Sequence, residues 1–276
     1  MKISPSLWQQ LSLRRLRQRL LPTLLGASLL LIAPLPLRAQ SGGAPAELTD
    51  VLAQIDAAAN RGDLDAVMEF YAPEFRADEA VDRAAIVAGL AKLWERYDSL
   101  DYSTQLLDYS QQGDRFIAET ETEIRGLRND GGRDVRLLAT LRSRQTIQDG
   151  QMIRQDVLAE RTQLFVGANP PTIDISLPEQ VSVGETFSFD VIVKEPLGNN
   201  LLLGGALEEV TEGDRYVEPG DFDLELLQAG GIFKQGRAPE QPEDRWLSAI
   251  IIREDGITMV TQRLRVIGAA TGASQP

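Results

Sequence analysis

The chain has 276 residues, of which 43% are hydrophobic and 25% charged, and it contains no Cys and no His. Its first 39 residues hold six of the 28 Lys and Arg and none of the 41 Asp and Glu, so residues 40 to 276 carry 22 basic against 41 acidic side chains. This acidic remainder excludes nucleic acid as an expected partner, and the missing thiols and imidazoles exclude Cys or His nucleophiles and zinc ligands.

The N-terminal segment has the layout of a secretory signal peptide, with a basic start, the apolar stretch "LLPTLLGASLLLIAPLPL" and Ala39 before a polar sequence. We expect cleavage near Ala39 and export to the periplasm, or to a lumen or the extracellular space depending on the organism. No membrane insertion is expected after processing. A membrane anchor is the alternative, disfavoured because Pro22, Pro34 and Pro36 interrupt an apolar run that is short for a bilayer span.

Three helices are predicted next. The first begins after Glu47, and its apolar side chains follow the spacing of one buried helical face: Leu48, Val51, Leu52 and Ile55. It should end at Gly62, which adopts the left-handed conformation at low cost.

Asp63 can cap a second helix, whose Val67, Phe70 and Tyr71 would point inward and which Pro73 would end. A third helix is predicted after Asp82, with these apolar side chains: Ile86, Leu90, Leu93, Trp94 and Tyr97.

After Asp101 the apolar period changes to 2, which predicts β-strands. A short run from Tyr102 to Tyr109 is followed by "DRFIAETETEIRGL", "RDVRLLATLRSRQTI" and "QMIRQDVLAERTQLFV". Gly131-Gly132 and Asp149-Gly150 separate these runs, and the second pair is a strong hairpin signal. The layout predicts an α+β fold with helices on one face of an antiparallel sheet.

The alternation of side chains divides this sheet into two faces. One face carries small or apolar residues: Phe116, Ala118, Thr120, Thr122 and Ile124, then Val135, Leu137, Ala139, Leu141 and Ser143. The opposite face carries charges: Glu119, Glu121, Glu123, Arg136, Arg142, Arg144, Arg154, Asp156 and Glu160. We interpret the charged face as solvated, with favourable cross-strand pairs; a polar partner interface is the alternative.

From Thr172 the pattern becomes all-β, with strands in "TIDISL", "ETFSFDVIVKE", "DFDLELL" and the hairpin "WLSAIIIREDGITMVTQRLRVI". The spacing and the turns are typical of a small β-sandwich of immunoglobulin-like type, without the Cys and Trp marks of antibody domains. The stretch "GANPPTIDI" has the composition of a linker, and we expect the two halves to fold separately.

Residues 46 to 167 resemble the nuclear transport factor 2-like superfamily, in its SnoaL-like and ketosteroid isomerase branch. The resemblance lies in the "GDLDAVMEFYAPEF" helix pair, the third helix Asp82 to Tyr97 and the long strands ending in "DGQMIRQDVLAERTQLF". It implies a cone of helices on a curved sheet, with a cavity beneath the helices. The expected organisation is therefore a signal peptide at 1–39, this domain at 46–167, a β-sandwich at 172–268 and a disordered tail at 269–276.

The isomerase branch implies a carboxylate base after the second helix and an oxyanion site made by a helix Tyr and a strand Asp. The base position falls at Glu79, or at Asp78 if the register shifts. The helix position holds Ile55, and no acid occurs at the strand position near Leu141 to Ser143. Steroid-type isomerisation is therefore not expected, because an enolate would lack stabilisation.

The remaining site candidates are neutral or aromatic. The pocket candidates are Ile55, Tyr71, Trp94, Tyr97, Thr120, Thr122 and Ser143, with core packing as the alternative for the aromatic members. Asp78 and Glu79 are the ionisable groups expected at the cavity mouth. Asp214, Asp221 and Asp223 are calcium candidates in an acidic stretch that includes Glu208 and Glu209, but they lack EF-hand spacing. We expect neither metal nor cofactor.

These observations favour an exported, non-catalytic protein whose first domain binds a small, largely apolar molecule or a protein partner, with the sandwich as an accessory module. One alternative is a carboxylate-base enzyme, isomerase-like or dehydratase-like, using Glu79 or Asp78. Another is a structural component of an envelope or lumenal assembly. A homodimer is left open.

Overall fold

The computed structural model describes residues 43–77, 81–196, 201–211, 222–227 and 230–268. The predicted signal peptide, its cleavage site near Ala39 and the predicted tail at 269–276 lie outside these residues. No helix within the described ranges combines the length and the apolar character needed to cross a bilayer.

Three helices lie where the periodicity places them: α1 (Ala46–Asn60), α2 (Leu64–Met68) and α3 (Arg83–Arg96). The predicted cap at Asp63 is present, because its carboxylate accepts a hydrogen bond from the Ala66 N–H at 3.1 Å. Asp82, after which the third helix was predicted to begin, also caps its helix, by accepting one from the Ala85 N–H at 2.9 Å. Gly62 has φ +65°, the left-handed conformation predicted for the turn between α1 and α2.

The second helix is shorter than predicted, and the placement of Tyr71 in it is wrong. Tyr71 begins strand β1 (Tyr71–Ala77), which is followed by the short β2 (Val81–Asp82). β1 pairs in parallel with a later strand, and its register shifts between Tyr71 and Arg76, around Pro73. Pro73 is tolerated in this irregular segment because it has no N–H to contribute to a regular ladder.

Four long antiparallel strands confirm the period-2 prediction: β3 (Ser99–Gln112), β4 (Arg115–Asp130), β5 (Arg133–Gln148) and β6 (Gln151–Gly167). Asp149 and Gly150 have φ values of 50° and 75°, so both adopt the left-handed conformation that a two-residue hairpin turn requires. β1 pairs with β6.

Eight further strands follow: β7 (Ile173–Ser176), β8 (Gln180–Ser182), β9 (Thr186–Val193), β10 (Leu203–Val210), β11 (Glu225–Leu226), β12 (Gly231–Arg237), β13 (Arg245–Arg253) and β14 (Gly256–Ile267). The sequence did not predict β10, which contains Glu208 and Glu209 and pairs with β13 along its whole length. Gly204 and Gly205 of β10 have low β-propensity, so the residue types do not favour a strand there. A Cβ at Gly205 would lie 2.5 Å from the Asp223 carbonyl oxygen, so the close approach of the backbone requires glycine there.

One antiparallel path joins the two halves of the chain, in the order β11-β10-β13-β14-β6-β5-β4-β3. The joint is the pairing of β14 with β6, from Gly256 opposite Gly167 to Gln262 opposite Arg161. A separate three-stranded sheet has the order β12-β9-β7. The linker-like composition of residues 167–175 does not predict this shared sheet.

Each half has its own apolar core. In the first half, α1 packs Leu48 and Leu52 against Phe116, Ala118 and Ile147 of the sheet. A second cluster joins α1 and α2 to Tyr102, with α3 packed at its margin. In the second half, the core lies between the three-stranded sheet and the β13–β14 part of the large sheet, and Val191, Ile251 and Leu264 are 0% exposed.

The strand register confirms most of the predicted faces. Thr122 is opposite Leu141 and Ile124 opposite Ala139, on the face covered by the helices, which we call the inner face. Glu119 is opposite Arg144 and Glu121 opposite Arg142, on the outer face. The predicted cross-strand pairs are loose, with 3.8 Å from Arg142 Nε and 3.9 Å from Arg144 Nη2 to the Glu119 carboxylate.

Glu160 is the exception, because it does not lie on the outer face. A bulge in β6 leaves Leu158 without a partner, since Ser143 is opposite Val157 and Arg142 is opposite Ala159. The extra residue reverses the alternation, and Glu160 falls opposite Leu141 on the inner face.

Candidate functional site

A cavity of about 450 Å³ lies between α1, α3 and the inner face of the sheet. Its apolar lining comes from both layers and includes Leu52, Ile55, Ile86, Leu90, Ile124, Leu141 and Leu164. The α3 helix has no fully buried residue, so it covers the sheet without filling the space beneath it. The cavity has the size and mostly apolar character of small-molecule sites.

A fixed polar network lines one part of this cavity. Asp56 of α1 accepts hydrogen bonds from the Thr104 N–H and the Thr104 hydroxyl, both at 2.7 Å. The Thr104 hydroxyl also lies 3.0 Å from the Thr122 hydroxyl. Both carboxylate oxygens of Asp56 are therefore engaged in holding α1 on β3, which leaves Asp56 poorly suited to act as a general base.

Three tyrosines belong to the cavity lining: Tyr71, Tyr97 and Tyr102. Burial raises the pKa of Tyr71 to about 12, with a smaller contribution from Tyr102. Burial also raises the pKa of Tyr102 to about 12. Trp94 Nε1 donates a 2.9 Å hydrogen bond to the Tyr102 hydroxyl, and this bond acts to lower the pKa. Burial raises the pKa of Tyr97, although the positive charges of Arg128 and Arg96 act to lower it. All three stay protonated at neutral pH and can act as hydrogen-bond donors.

A charged cluster lies where β6 meets β14. Arg263 is 2% exposed, and its Nε lies 3.1 Å from Glu160 while its Nη1 lies 3.1 Å from Asp244. Trp246 Nε1 donates to the same Glu160 oxygen at 3.3 Å. These contacts neutralise the Glu160 carboxylate, which lines the cavity, and they join the two halves of the chain.

Four of the seven predicted pocket residues line the cavity: Ile55, Tyr71, Tyr97 and Thr122. Trp94, Thr120 and Ser143 do not appear among the lining residues. Trp94 packs in the helix cluster and binds Tyr102, whereas Thr120 and Ser143 are at most 1% exposed, with their hydroxyl oxygens 3.4 Å apart.

Asp78 and Glu79, the candidate bases, lie outside the described residues, as do Asp214 and Asp221. Asp223 is described and precedes β11. Over the described part of the chain, no group of three or more carboxylates is close enough to hold a metal ion.

The expectation that no other charged group reaches the cavity was wrong, because Asp56, Arg96, Glu160 and Glu209 line it. That Asp78 and Glu79 lie at its mouth stays a prediction. Asp56 could have been found from the sequence, since it follows Leu52 by four residues and so shares its helical face. Glu160 could not, because the bulge that turns it inward leaves no mark in the alternation of residue types.

Comparison with family models gives two matches, which divide the chain near residue 160. Residues 51–155 match the model of the SnoaL-like domain. They form a SnoaL-like domain. Residues 168–267 match a family described as a domain of unknown function (DUF8623). A search of curated proteins finds no match.

Solved structures match about 40% of the chain at low similarity. Bd1075 of Bdellovibrio bacteriovorus is 14% identical with a TM-score of 0.31, and the match covers 40% of each chain. An LEH-like epoxide hydrolase of M. tuberculosis is 12% identical with a TM-score of 0.28, over 40% of this chain and 80% of that one. A protein of Xanthomonas campestris pv. campestris proposed to be a polyketide cyclase is 24% identical with a TM-score of 0.27, over 40% and 88%. At these TM-scores the likenesses carry no argument about activity.

Proposed function

We propose that the SnoaL-like domain binds a small, largely apolar molecule without transforming it, in an exported protein whose C-terminal region is an accessory β-sandwich. The observation that carries this proposal is the lining of the cavity, where apolar side chains surround neutral hydroxyls. Two of its carboxylates are engaged, Asp56 by Thr104 and Glu160 by Arg263 and Trp246. Engaged carboxylates and protonated tyrosines suit recognition of carbonyl or hydroxyl groups better than proton abstraction.

The rival function is catalysis by a carboxylate base at Glu79 or Asp78. The oxyanion site that the isomerase branch implies is weakened here, because Ile55 lines the cavity with a hydrocarbon side chain where that branch places a hydroxyl. A protein partner or a structural role in an envelope assembly would leave the cavity without a specific small ligand.

The decisive experiment is titration of the processed chain with N-phenyl-naphthylamine, a neutral apolar dye, together with mass spectrometry of any molecule that co-purifies. Thr122→Phe places a large side chain in the cavity and is expected to abolish dye binding. Thr186→Phe at the exposed first position of β9 is the matched control and should leave binding unchanged. Equal binding by the wild type and Thr122→Phe would reject the cavity as the site.

Export is tested by the intact mass of protein purified from its native compartment. The mature chain is expected to start near Gln40. A chain that keeps residues 1 to 39 and sediments with membranes would reject export in soluble form.

A further inference from the structure

The inner face of the sheet continues beyond the SnoaL-like domain. Ala139 on β5 is opposite Thr162 on β6, Thr162 is opposite Thr261 on β14, and Thr261 is opposite Ser248 on β13. Directly opposed residues project to the same face of a sheet. Thr162, Thr261 and Ser248 therefore extend the inner face into the C-terminal region, and all three line the same cavity as Ile55 and Tyr102.

We propose that the C-terminal region forms one end of the ligand cavity, and that the cavity takes an elongated, uncharged molecule with an apolar body and a hydroxyl or carbonyl group at the Ser248–Thr261 end. This inference rests on the proposed binding function and names the class of ligand and a second part of its site. The C-terminal region would then contact the ligand directly, in addition to its role as an accessory module.

The length of the ligand follows from the number of strands that the cavity crosses. Tyr102 lies on β3 and Ser248 on β13, and five strand intervals separate these two strands in the sheet. Neighbouring strands lie ~4.8 Å apart, so the two ends are about 24 Å apart along the sheet. A compact ring system would occupy only part of this length, whereas an extended chain would follow it.

The chemistry of the far end favours a neutral polar group. The Ser248 and Thr261 hydroxyl oxygens lie 2.8 Å apart, and each hydroxyl has one proton and two acceptor sites, so the pair can still donate or accept one further hydrogen bond. A ligand carboxylate would place a further negative charge beside Glu209 and beside Glu160, whose own charge Arg263 already compensates. A ligand ammonium would have to compete with Arg263 for Glu160, because that carboxylate is already held in a buried ion pair.

Two tryptophans can report on the two ends of the cavity. Trp94 and Trp246 are the tryptophans of residues 40 to 276. Trp94 contacts the Tyr102 hydroxyl at one end, and Trp246 lines the cavity at the other. Trp94→Phe leaves Trp246 as the reporter, and Trp246→Phe leaves Trp94, so each variant follows one end.

The experiment is fluorescence titration of both reporter variants with octanol, dodecanol and hexadecanol, with hexadecanoate as the charged comparison. Affinity is expected to rise through hexadecanol, to be weaker for hexadecanoate, and to change Trp246 emission as well as Trp94 emission. The double variant Ser248→Ala with Thr261→Val should weaken hexadecanol binding about fivefold, the loss typical of one hydrogen bond. Thr186→Val, the same change at an exposed position, should leave binding unchanged.

The outcomes separate the two proposals. Alcohol binding that stops gaining affinity at octanol, leaves Trp246 emission unchanged and ignores the double variant would overturn the extended site while the binding function stands. Tighter binding of hexadecanoate than of hexadecanol would overturn the neutral ligand class. If neither the wild type nor either reporter variant binds an alcohol or the dye, both proposals fail.

Discussion

The two halves of the chain use one sheet in opposite ways. In the SnoaL-like half the helices cover the inner face, and the outer face carries Glu119, Glu121 and their arginine partners. Following the register through β6, the same outer face continues in β14 as Val260 and Leu264, which are 1% and 0% exposed beneath the three-stranded sheet. The covering layer changes sides at the β6–β14 joint.

This difference explains why the cavity lies on the inner face of the sheet, whereas the core of the C-terminal region lies on the outer face. In the C-terminal region, buried side chains of β9, β12, β13 and β14 form one apolar cluster, whereas α3 covers the inner face with no fully buried side chain. That core uses the outer face of β13 and β14. The side chains on the inner face of these two strands can therefore line the cavity. A single sheet thus contributes one face to a buried core and the other face to the wall of the cavity.

The largest effect expected from breaking the joint comes from Arg263→Ala, which leaves Glu160 and Asp244 without this buried cation. The free energy of unfolding should fall by about 3 kcal/mol, measured by urea denaturation of the processed chain. Arg237→Ala removes the ion pair with Glu240, whose side chains are 69% and 76% exposed, and should cost less than about 1 kcal/mol. Similar losses for the two variants would show that the joint carries little of the stability.

The same denaturation tests whether the halves are independent. Separate folding of residues 40–169 and 170–270 remains a prediction from the linker composition. The seven paired positions of β6 and β14 and the Arg263 contacts oppose it, because each fragment would expose an unpaired strand edge. We expect the whole chain to unfold in one transition; two transitions, with both fragments soluble and cooperative alone, would establish independence.

A smaller effect is expected at the helix-covered end from Asp56→Ala, which leaves the Thr104 N–H and hydroxyl without their acceptor. The free energy of unfolding should fall by about 1–3 kcal/mol. Asp50→Ala on the exposed side of α1 is the control and should change it by less than about 0.5 kcal/mol. Thermal unfolding of both variants would measure the difference, and an Asp56→Ala variant as stable as the control would mean that Asp56 does not anchor α1.

Alkaline pH should lower the free energy of unfolding, because the buried tyrosines at the helix-covered end lose their protons. Tyr71 has its pKa raised from 10.0 to about 12 in the folded chain, so the folded state binds its proton more tightly than the unfolded state. The contribution of protonated Tyr71 to the free energy of unfolding is therefore fully present below pH 10. It is lost as the pH rises from 10 to 12, and roughly 1 kcal/mol is gone at about pH 11. Urea denaturation across this range, with Tyr71→Phe as control, would measure it; equal slopes for both proteins would contradict the prediction.

The smallest effect is expected from replacing Asp78 and Glu79 together by Asn and Gln. If the protein binds without catalysis, the affinity for a cavity ligand should change by less than about tenfold, or ~1.4 kcal/mol. Dye titration and turnover assays on the double variant would test this. Wild-type turnover that disappears in the variant would establish the carboxylate-base enzyme.

The local elements could be predicted because local chemistry dictates them. The caps at Asp63 and Asp82, the Gly62 turn and the Asp149-Gly150 hairpin each depend on a side chain or glycine acting within a few residues. The SnoaL-like fold of the first half followed from these elements and their order. The strand at β10 was missed, because its glycines are explained only by the backbone that approaches Gly205 from another part of the chain.

The sequence by itself determined the periodicities, and with them the helices, the long strands and the small or apolar inner face around Thr122 and Ala139. The tertiary structure alone decided the joint between β6 and β14, the change in the covered face and the inward position of Glu160. The physical reason is that alternation specifies which residues share a face, but not which partner strand or layer will cover it. The single unpaired residue Leu158 then reverses the alternation, and its effect on stability arises only when β5 and β6 are paired in the folded sheet.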